Sequence, residues 1–318
     1  MIAVVSWFCS ENKCFSEVFF LNRGELCSSD NKQSDKLKTA ARLEAGPFVH
    51  LHDWKQTPGA NRFLISKRLD SHYVPNSDAP SGFDLWLHNG TDVERQIHSS
   101  VFRAKFSPDG QCVAYTTTDC DLLIEDLDGK KLKQISRAYN PSWKRDGSSI
   151  LFEKVPDGRN VHYPETLHLA RLDLKSGKEE LLTDGKFDDV RPEFHPSGKW
   201  ILFVSGGRTG LASFWQLDAT GGKPVQLTNL GRRYVDETFV PTPYRQTIWS
   251  TDGRWFLYDF KNGDVQQIWG LEFGANGKLV RTVKLADGLN PQWDEDGKSF
   301  IYLRQTDSGQ QPVVEKLP

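Results

Sequence analysis

Short apolar segments alternate with tight polar turns along most of the chain, and one unit recurs. Each copy has an aromatic residue, three spacer residues, a glycine and an apolar segment with a second aromatic five positions after the glycine. Five copies begin at Phe106, Trp143, Phe194, Trp249 and Trp293, and a looser copy begins at Trp54. Glycine in the left-handed conformation closes a tight β-hairpin, so each copy predicts a hairpin.

Two further alternating segments follow most hairpins, which makes the unit a four-stranded antiparallel meander. The turn glycines are 37 to 55 residues apart, in the range of the roughly 40–50 residues of a propeller blade. A barrel or sheet with parallel strands would need a helix after nearly every strand. The sequence therefore predicts an all-β fold, a six-bladed β-propeller of four-stranded antiparallel blades over residues 47–318.

Residues 1–46 are predicted to contain strands and one short helix. The last copy supplies only three strands, so we expect one N-terminal strand, within 15–21, 25–28 or 2–8, to complete it and close the ring. Seven blades, with an incomplete N-terminal blade from residues 2–29, is the alternative. Ser34 is a suitable cap for a helix over 34–46, which Gly46 would end before Pro47.

The repeat resembles the TolB-type propeller repeat, in which an aromatic–SPDG–apolar hairpin is often followed by Leu-Thr. The best copy runs over residues 190–205 and ends in Leu227-Thr228, and Leu182-Thr183 repeats that ending. The resemblance covers about residues 47–317 and implies the fold; the same repeat occurs in peptidase propellers, sugar-acid lyases and proteins without known activity. TolB itself implies a periplasmic, non-catalytic hub for protein partners, but it carries an α/β domain before its propeller where this chain has some 46 residues.

Composition excludes several classes of protein. The 318 residues include 40 Lys and Arg against 42 Asp and Glu, a formal charge of −2, which gives no field to attract nucleic acid. No apolar run approaches the roughly 20 residues of a membrane span. Five cysteines, an odd number without a CxxC pair, indicate thiols rather than a disulfide framework or a zinc site. We expect a monomer without nucleic-acid partners.

The cellular compartment follows from two opposing expectations. The TolB resemblance implies a periplasmic or exported protein. The first residues show no basic segment ahead of the apolar stretch, which indicates a cytoplasmic protein if the N-terminus is complete.

Three long insertions, at residues 69–82, 156–164 and 230–245, connect second to third strands or one blade to the next, so they lie on one face of a meander ring. Binding residues concentrate on such loops. Arginine suits carboxylates or phosphates, and aromatic rings suit sugars or peptide side chains. The predicted ligand-binding set is Arg68, His72, Tyr73, His162, Tyr163, Glu165, Asp188, Asp189, Arg191, Glu193, Arg232, Arg233, Tyr234, Asp236 and Glu237; the alternative is solvated loop decoration with internal ion pairs.

Two functions fit this face. The favoured hypothesis is a non-catalytic scaffold for a protein, peptide or glycan ligand, without a cofactor. The alternative is a carbohydrate-active lyase or hydrolase with a carboxylate acid/base pair, or with a divalent metal at His50, His52 and a loop histidine such as His72 or His162. Catalytic residues are not identified. The repeated aromatics are predicted to pack between blades, and His195 to be exposed and inert.

Overall fold

The computed structural model describes the backbone of residues 2–7, 16–22, 25–30, 38–42, 48–57, 60–68, 83–88, 94–161, 166–229, 248–262, 265–293, 298–306 and 309–318. These residues form β-strands and connecting turns, and the described ranges contain no helix. The strands pair antiparallel in six sheets, and each strand pairs with its neighbour in sequence. The prediction of an all-β protein built from antiparallel meanders is confirmed.

The first two sheets hold eleven strands. One contains β1 (Ile2–Trp7), β2 (Ser16–Asn22), β3 (Glu25–Asp30) and β4 (Lys38–Arg42). The other contains β5 (Phe48–Thr57), β6 (Ala60–Arg68), β7 (Phe83–His88), β8 (Glu94–Phe106), β9 (Cys112–Thr117), β10 (Asp121–Asp126) and β11 (Lys131–Ser136). Its strand β8 is 13 residues long, pairs with β7 through its first half and with β9 through its second, and changes register between Val101 and Arg103.

Three sheets of four strands and one of three follow. They contain β12 (Ala138–Trp143), β13 (Ser149–Lys154), β14 (His168–Asp173) and β15 (Glu179–Leu181); β16 (Val190–Phe194), β17 (Trp200–Ser205), β18 (Ser213–Asp218) and β19 (Val225–Gln226); β20 (Ile248–Trp249), β21 (Trp255–Asn262), β22 (Val265–Phe273) and β23 (Leu279–Asp287); and β24 (Leu289–Trp293), β25 (Ser299–Thr306) and β26 (Gly309–Lys316).

Apolar cores lie between successive sheets. Ile124 of β10 packs in one cluster with Ile150 and Phe152 of β13, and the clusters at the next boundaries are built in the same way. The second aromatic of the repeat is buried in every hairpin: Tyr115, Phe152, Phe203, Tyr258 and Tyr302 are at most 1 % exposed. Trp143, Phe194, Trp249 and Trp293 join these cores, which confirms for these four first aromatics that they pack between sheets. Phe106 packs in a cluster within the seven-stranded sheet, and the Trp54 side chain lies outside the described residues. Burial of large aromatic side chains is the main stabilising term in such a fold.

The repeated turns have the predicted geometry. Gly110, Gly147, Gly198 and Gly253 have φ between +68° and +74°, and each donates its N–H to the carbonyl three residues earlier. In the turns at Gly110, Gly147 and Gly253, the aspartate before the glycine accepts a hydrogen bond from the backbone N–H of the residue after the glycine. In the first of these turns, Gln111 N donates to Asp109 Oδ1 at 3.0 Å. A side chain other than glycine would be strained at such a φ.

The N-terminal segment differs from prediction in two respects. The helix expected over 34–46 is wrong, because residues 38–42 form β4, which pairs with β3. Pairing with a neighbouring strand outweighs the local helix propensity of the Lys-Leu-Lys-Thr-Ala-Ala stretch. Likewise, β1 to β4 form a sheet of their own instead of one strand entering the last sheet, whose order is β24-β25-β26.

Candidate functional site

A β-bulge interrupts the first strand of five meanders, β5, β8, β12, β16 and β24. The register shifts between Tyr139 and Ser142 in β12, between Val190 and Glu193 in β16, and at the corresponding point of β24. In β8 the shift comes slightly earlier, between Val101 and Arg103. Asn140 and Arg191, inside two of these bulges, have φ of 50° and 55°, unusual for residues other than glycine. Bulges redirect side chains, and here they bring polar residues of neighbouring sheets together.

These polar residues, here called the polar site, form two layers. The first, called the outer layer, contains Arg103, Asn140, Glu153 and Arg191 and joins three sheets. Arg103 Nη1 donates to Asn140 Oδ1 at 3.2 Å, and Asn140 Nδ2 donates to Glu153 Oε1 at 2.8 Å. The same Glu153 oxygen accepts the backbone N–H of Arg191 at 2.7 Å. Glu153 therefore ties both left-handed residues, one on β12 and one on β16, to a single carboxylate.

The inner layer lies two residues further along the same strands. Lys105 Nζ of β8 lies 3.0 Å from Glu193 Oε1 of β16, and Ser142 Oγ of β12 donates to Glu193 Oε2 at 2.6 Å. Lys105 and Glu193 are 88 residues apart in sequence. The contact therefore joins the first strands of sheets on either side of the β12 sheet.

The two glutamates have opposite electrostatic environments. Burial raises the pKa of Glu153 above its ordinary value, and its hydrogen bonds and the charges of Arg191 and Arg103 offset only part of that effect. Burial also acts to raise the pKa of Glu193, but the Lys105 charge, the Ser142 hydroxyl and Arg103 outweigh it, so the pKa of Glu193 is lowered.

Two of the predicted ligand-binding carboxylates form a buried clasp beside this site. Asp188 Oδ1 accepts from Gly207 N at 2.5 Å and from Ser205 Oγ at 3.2 Å. Burial raises the pKa of Asp188, and these donors offset part of the rise. Asp189 pairs with Arg208 at 2.5 and 2.8 Å, and Arg208 Cζ lies 4.6 Å from the Phe187 ring centroid. The clasp fixes the connection between β17 and β18 to the start of β16.

The structure thus locates four of the predicted site residues. Arg191 and Glu193 lie in the polar site, whereas Asp188 and Asp189 lie in the clasp. The backbone of Arg68 closes β6, and the remaining residues lie outside the described part of the chain: His72, Tyr73, His162, Tyr163, Glu165, Arg232, Arg233, Tyr234, Asp236 and Glu237.

The proposed metal ligands are only partly within the described residues. His50 and His52 belong to β5, whereas His72 and His162 lie outside the described ranges. Where side chains are described, no group of three or more His, Cys, Asp or Glu residues is placed to hold a metal ion. Cys112 and Cys120 are free thiols, as predicted.

Sequence reasoning missed Arg103, Lys105, Asn140, Ser142 and Glu153. Four of these occupy fixed places in the repeat, three and one positions before the first aromatic, where Arg191 and Glu193 also stand. That periodicity could have identified them. Glu153, on the second strand, has no such marker.

Meander sheets set side by side, with polar side chains converging from their first strands, define a β-propeller. No protein-family model matches the chain. Among solved structures, TolB from Acinetobacter baumannii has a TM-score of 0.51 at 15 % identity, over 84 % of this chain and 76 % of that one. A TolB-like protein of Agrobacterium tumefaciens has a TM-score of 0.52 at 17 % identity, over 89 % of this chain and 94 % of that one. The chain has the TolB-like propeller fold.

Other relatives share the fold or part of the sequence. Oligogalacturonate lyase from Vibrio parahaemolyticus has a TM-score of 0.56 at 12 % identity, over 99 % of this chain and 82 % of that one. In sequence, the uncharacterized protein Atu1656 of Agrobacterium fabrum is 27 % identical over 180 residues, 52 % of this chain. The chain spans 55 % of that relative's length. Among the described residues, no helix has the length and hydrophobicity needed to cross a membrane.

Proposed function

We propose that this protein is a non-catalytic binding scaffold that holds a protein, peptide or glycan ligand at the loop-bearing end of its channel. The carrying observation is the convergence of Arg103, Asn140 and Arg191 from three neighbouring sheets into one polar layer. First strands start at the loop-bearing face of a meander, so this layer is the one nearer the long insertions. The Arg103 guanidinium lies in this layer, and the charge of Arg191 also acts on Glu153 there, so a ligand with carboxylate groups is favoured.

The state of the carboxylates favours binding over catalysis. Glu153, Glu193, Asp188 and Asp189 each accept hydrogen bonds or ion pairs from neighbouring residues. A general acid or base must exchange its proton with the substrate, and we infer that carboxylates bonded to neighbouring residues in this way position the ligand-binding residues instead. The second candidate, a carbohydrate-active lyase or hydrolase, is supported by the similarity in fold to oligogalacturonate lyase.

We expect a screen of glycan arrays and peptide libraries to yield binders that depend on the channel mouth. Binders are retested on Arg191→Ala, Arg233→Ala and Tyr234→Ala, and we predict at least tenfold weaker binding because each variant removes a charged or aromatic contact, about 1.4 kcal/mol per tenfold. Arg254→Ala is the matched control, since Arg254 pairs with Glu272 on another strand outside the channel.

Two outcomes would contradict the proposal that this protein is a binding scaffold. Binding that survives all three substitutions would place the ligand elsewhere. Turnover of uronate or neutral oligosaccharides by the purified protein, with or without Mn²⁺ or Ca²⁺, would replace the scaffold by the enzyme.

For the ring itself we propose seven blades rather than six. Dividing the seven-stranded sheet within β8, at its register shift, gives two meanders that share this strand. With the β1–β4 sheet as the first blade and β24–β26 as the last, the chain has seven units. The expected boundary between residues 46 and 47 then separates the first blade from the second.

A further inference from the structure

The glycine turns lie on the face opposite the long insertions, here called the turn-bearing face. At two places on this face, a side chain from one hairpin turn fills the gap to the turn of the next sheet. Lys144 follows the repeat aromatic Trp143, and its Cε would lie 2.7 Å from a Cβ added at Gly198 of the next sheet. His195, in the same position of its own repeat, lies over Gly253 and pairs with its carbonyl at 3.0 Å. The residue after the aromatic therefore acts as a plug for the boundary with the next sheet.

The boundary one repeat earlier has no such plug. Ser107 occupies the position, and its hydroxyl stays in its own turn, where it accepts from Cys112 N at 2.9 Å and donates to Asp109. A Cβ added at Gly147, on the facing turn, would meet no atom within 4 Å among the described residues. The result is a cavity of about 250 Å³, here called the junction pocket.

The junction pocket has apolar walls and one cation. Ile124 of β10, Leu172 of β14 and Leu174 face it from both sheets, and Trp143 also lines it. Lys133 of β11 lines it too, and it is partly buried.

The pocket's two charged residues differ in their partners. The side chain of Lys133 makes no salt bridge or hydrogen bond with any residue that the structure describes, although its backbone pairs with Ile124 of β10. Asp109 Oδ1, by contrast, accepts from Ser107 Oγ and from Gln111 N. Asp109 keeps its negative charge within its own hairpin turn, whereas Lys133 brings an unpaired positive charge beside the apolar surface, which suits an anion with an apolar body that pairs at the Lys133 end.

We propose that the junction pocket binds a small monocarboxylate with an apolar body, such as a short-chain fatty acid. The carboxylate pairs with Lys133 Nζ, and the hydrocarbon lies between Ile124 and Leu172. The volume is below the roughly 300–1,000 Å³ of sites for drug-sized ligands, which restricts the ligand to a short chain. This site lies on the opposite face from the channel mouth and does not rest on the scaffold function.

Titration calorimetry with hexanoate, hexylamine and hexanol tests the assignment. We expect hexanoate to bind best. Lys133→Met keeps the apolar stem and weakens hexanoate binding by about tenfold or more, the loss expected for a charge-assisted pair. Lys131→Met is the matched control on the same strand: Lys131 Nζ pairs with Gln134 at 2.9 Å, and its loss leaves the dissociation constant within about twofold.

A plugging variant tests the location. Ser107→Lys installs the residue found at the equivalent Lys144 and abolishes binding of hexanoate, with the fold checked by circular dichroism. If this variant fails to fold, the comparison of Lys133→Met with Lys131→Met decides alone. Hexanoate that does not bind at millimolar concentration, hexylamine that binds more tightly, or equal affinity in Lys133→Met would each overturn the proposal.

Discussion

Glu153 is the single residue on which the geometry of the polar site depends most. It is 3 % exposed, and its Oε1 accepts from Asn140 and from the backbone of Arg191, the two left-handed residues of the bulges. A left-handed residue other than glycine costs roughly 1–2 kcal/mol. A net intramolecular hydrogen bond contributes about 0.5–1.5 kcal/mol, so the two bonds to Glu153 together are of the size needed to offset that cost.

We predict that the stability advantage of the wild type over Glu153→Gln falls as the pH rises above about 4.5, the ordinary pKa of glutamate. Burial raises the pKa of Glu153, so the folded protein holds this proton more tightly than the unfolded chain. The contribution of the Glu153 carboxyl to the free energy of unfolding is therefore complete below the pKa that it has in the unfolded chain. This contribution is lost as the pH rises through the pKa that it has in the folded protein. Urea unfolding of both proteins at pH 4 and pH 7 measures it.

The glutamine variant keeps an acceptor for both donors, so it isolates the charge. Glu153→Ala leaves Asn140 and the Arg191 N–H without that acceptor and is expected to lose about 1–3 kcal/mol at both pH values. An unchanged difference between wild type and Glu153→Gln from pH 4 to pH 7 would show that the buried carboxyl has an ordinary pKa.

At the scale of elements, His195 links two hairpins and is not inert as the sequence suggested. Its ring stacks on Trp200 with centroids 4.3 Å apart, Ser197 N donates to Nδ1 at 3.2 Å, and Nε2 pairs with Gly253 O. Nδ1 is therefore the acceptor and Nε2–H the donor, the neutral form of the ring. Burial lowers the pKa of His195, although Gly253 and Asp252 act in the opposite direction.

We predict that His195→Ala lowers the free energy of unfolding by about 1–3 kcal/mol at pH 7.5, from loss of the stacking and the hydrogen bond. The loss of stability is smaller at pH 5.5. Because the pKa of His195 is lower in the folded protein than in the unfolded chain, where it is near 6.5, its neutral ring stabilises the fold above that pH, and this stabilisation disappears as the pH falls. Chemical denaturation at the two pH values measures the difference.

Lys199→Ala is the matched control for that experiment, since Lys199 is exposed and lines the same cleft. It should change stability by less than about 0.5 kcal/mol. If His195→Ala lowered the free energy of unfolding equally at both pH values, or more at pH 5.5, the neutral His195 ring would not be what links the two hairpins.

Elements with local signals were predictable, and those that depend on distant pairing were not. The turn glycines and the aromatics around them identify the hairpins from β8 to β25, because turn chemistry and alternation act within about ten residues. The sequence of β4 has good helix formers, and only its pairing with β3 makes it a strand. The polar site was predictable in part. Its residues stand at repeated positions of the first strands, but the contact of Lys105 with Glu193 depends on how the sheets pack, which the sequence pattern does not give.

At the scale of the whole molecule, the first and last sheets lie against each other. β1 contacts β24 and β25 of the last sheet as well as β5, so the N-terminal strands bridge the two ends of the remaining chain. In a ring, each sheet buries its faces against two neighbours, and a missing sheet exposes apolar faces on both sides. The stability of the seven-blade arrangement that we propose therefore depends on residues 1–46.

We predict that a chain of residues 47–318 alone loses the cooperative unfolding transition of the full chain and aggregates, because the sheets of β5 and β24 lose the contacts they make with β1. Thermal melting followed by circular dichroism, with size-exclusion chromatography of the soluble fraction, compares the two chains. Adding residues 1–46 as a separate peptide should restore part of the transition, since the missing sheet pairs only within itself. A truncated chain that stays monomeric and melts within a few degrees of the full chain would instead mean that residues 47–318 close a ring without the β1–β4 sheet, which would overturn the seven-blade arrangement.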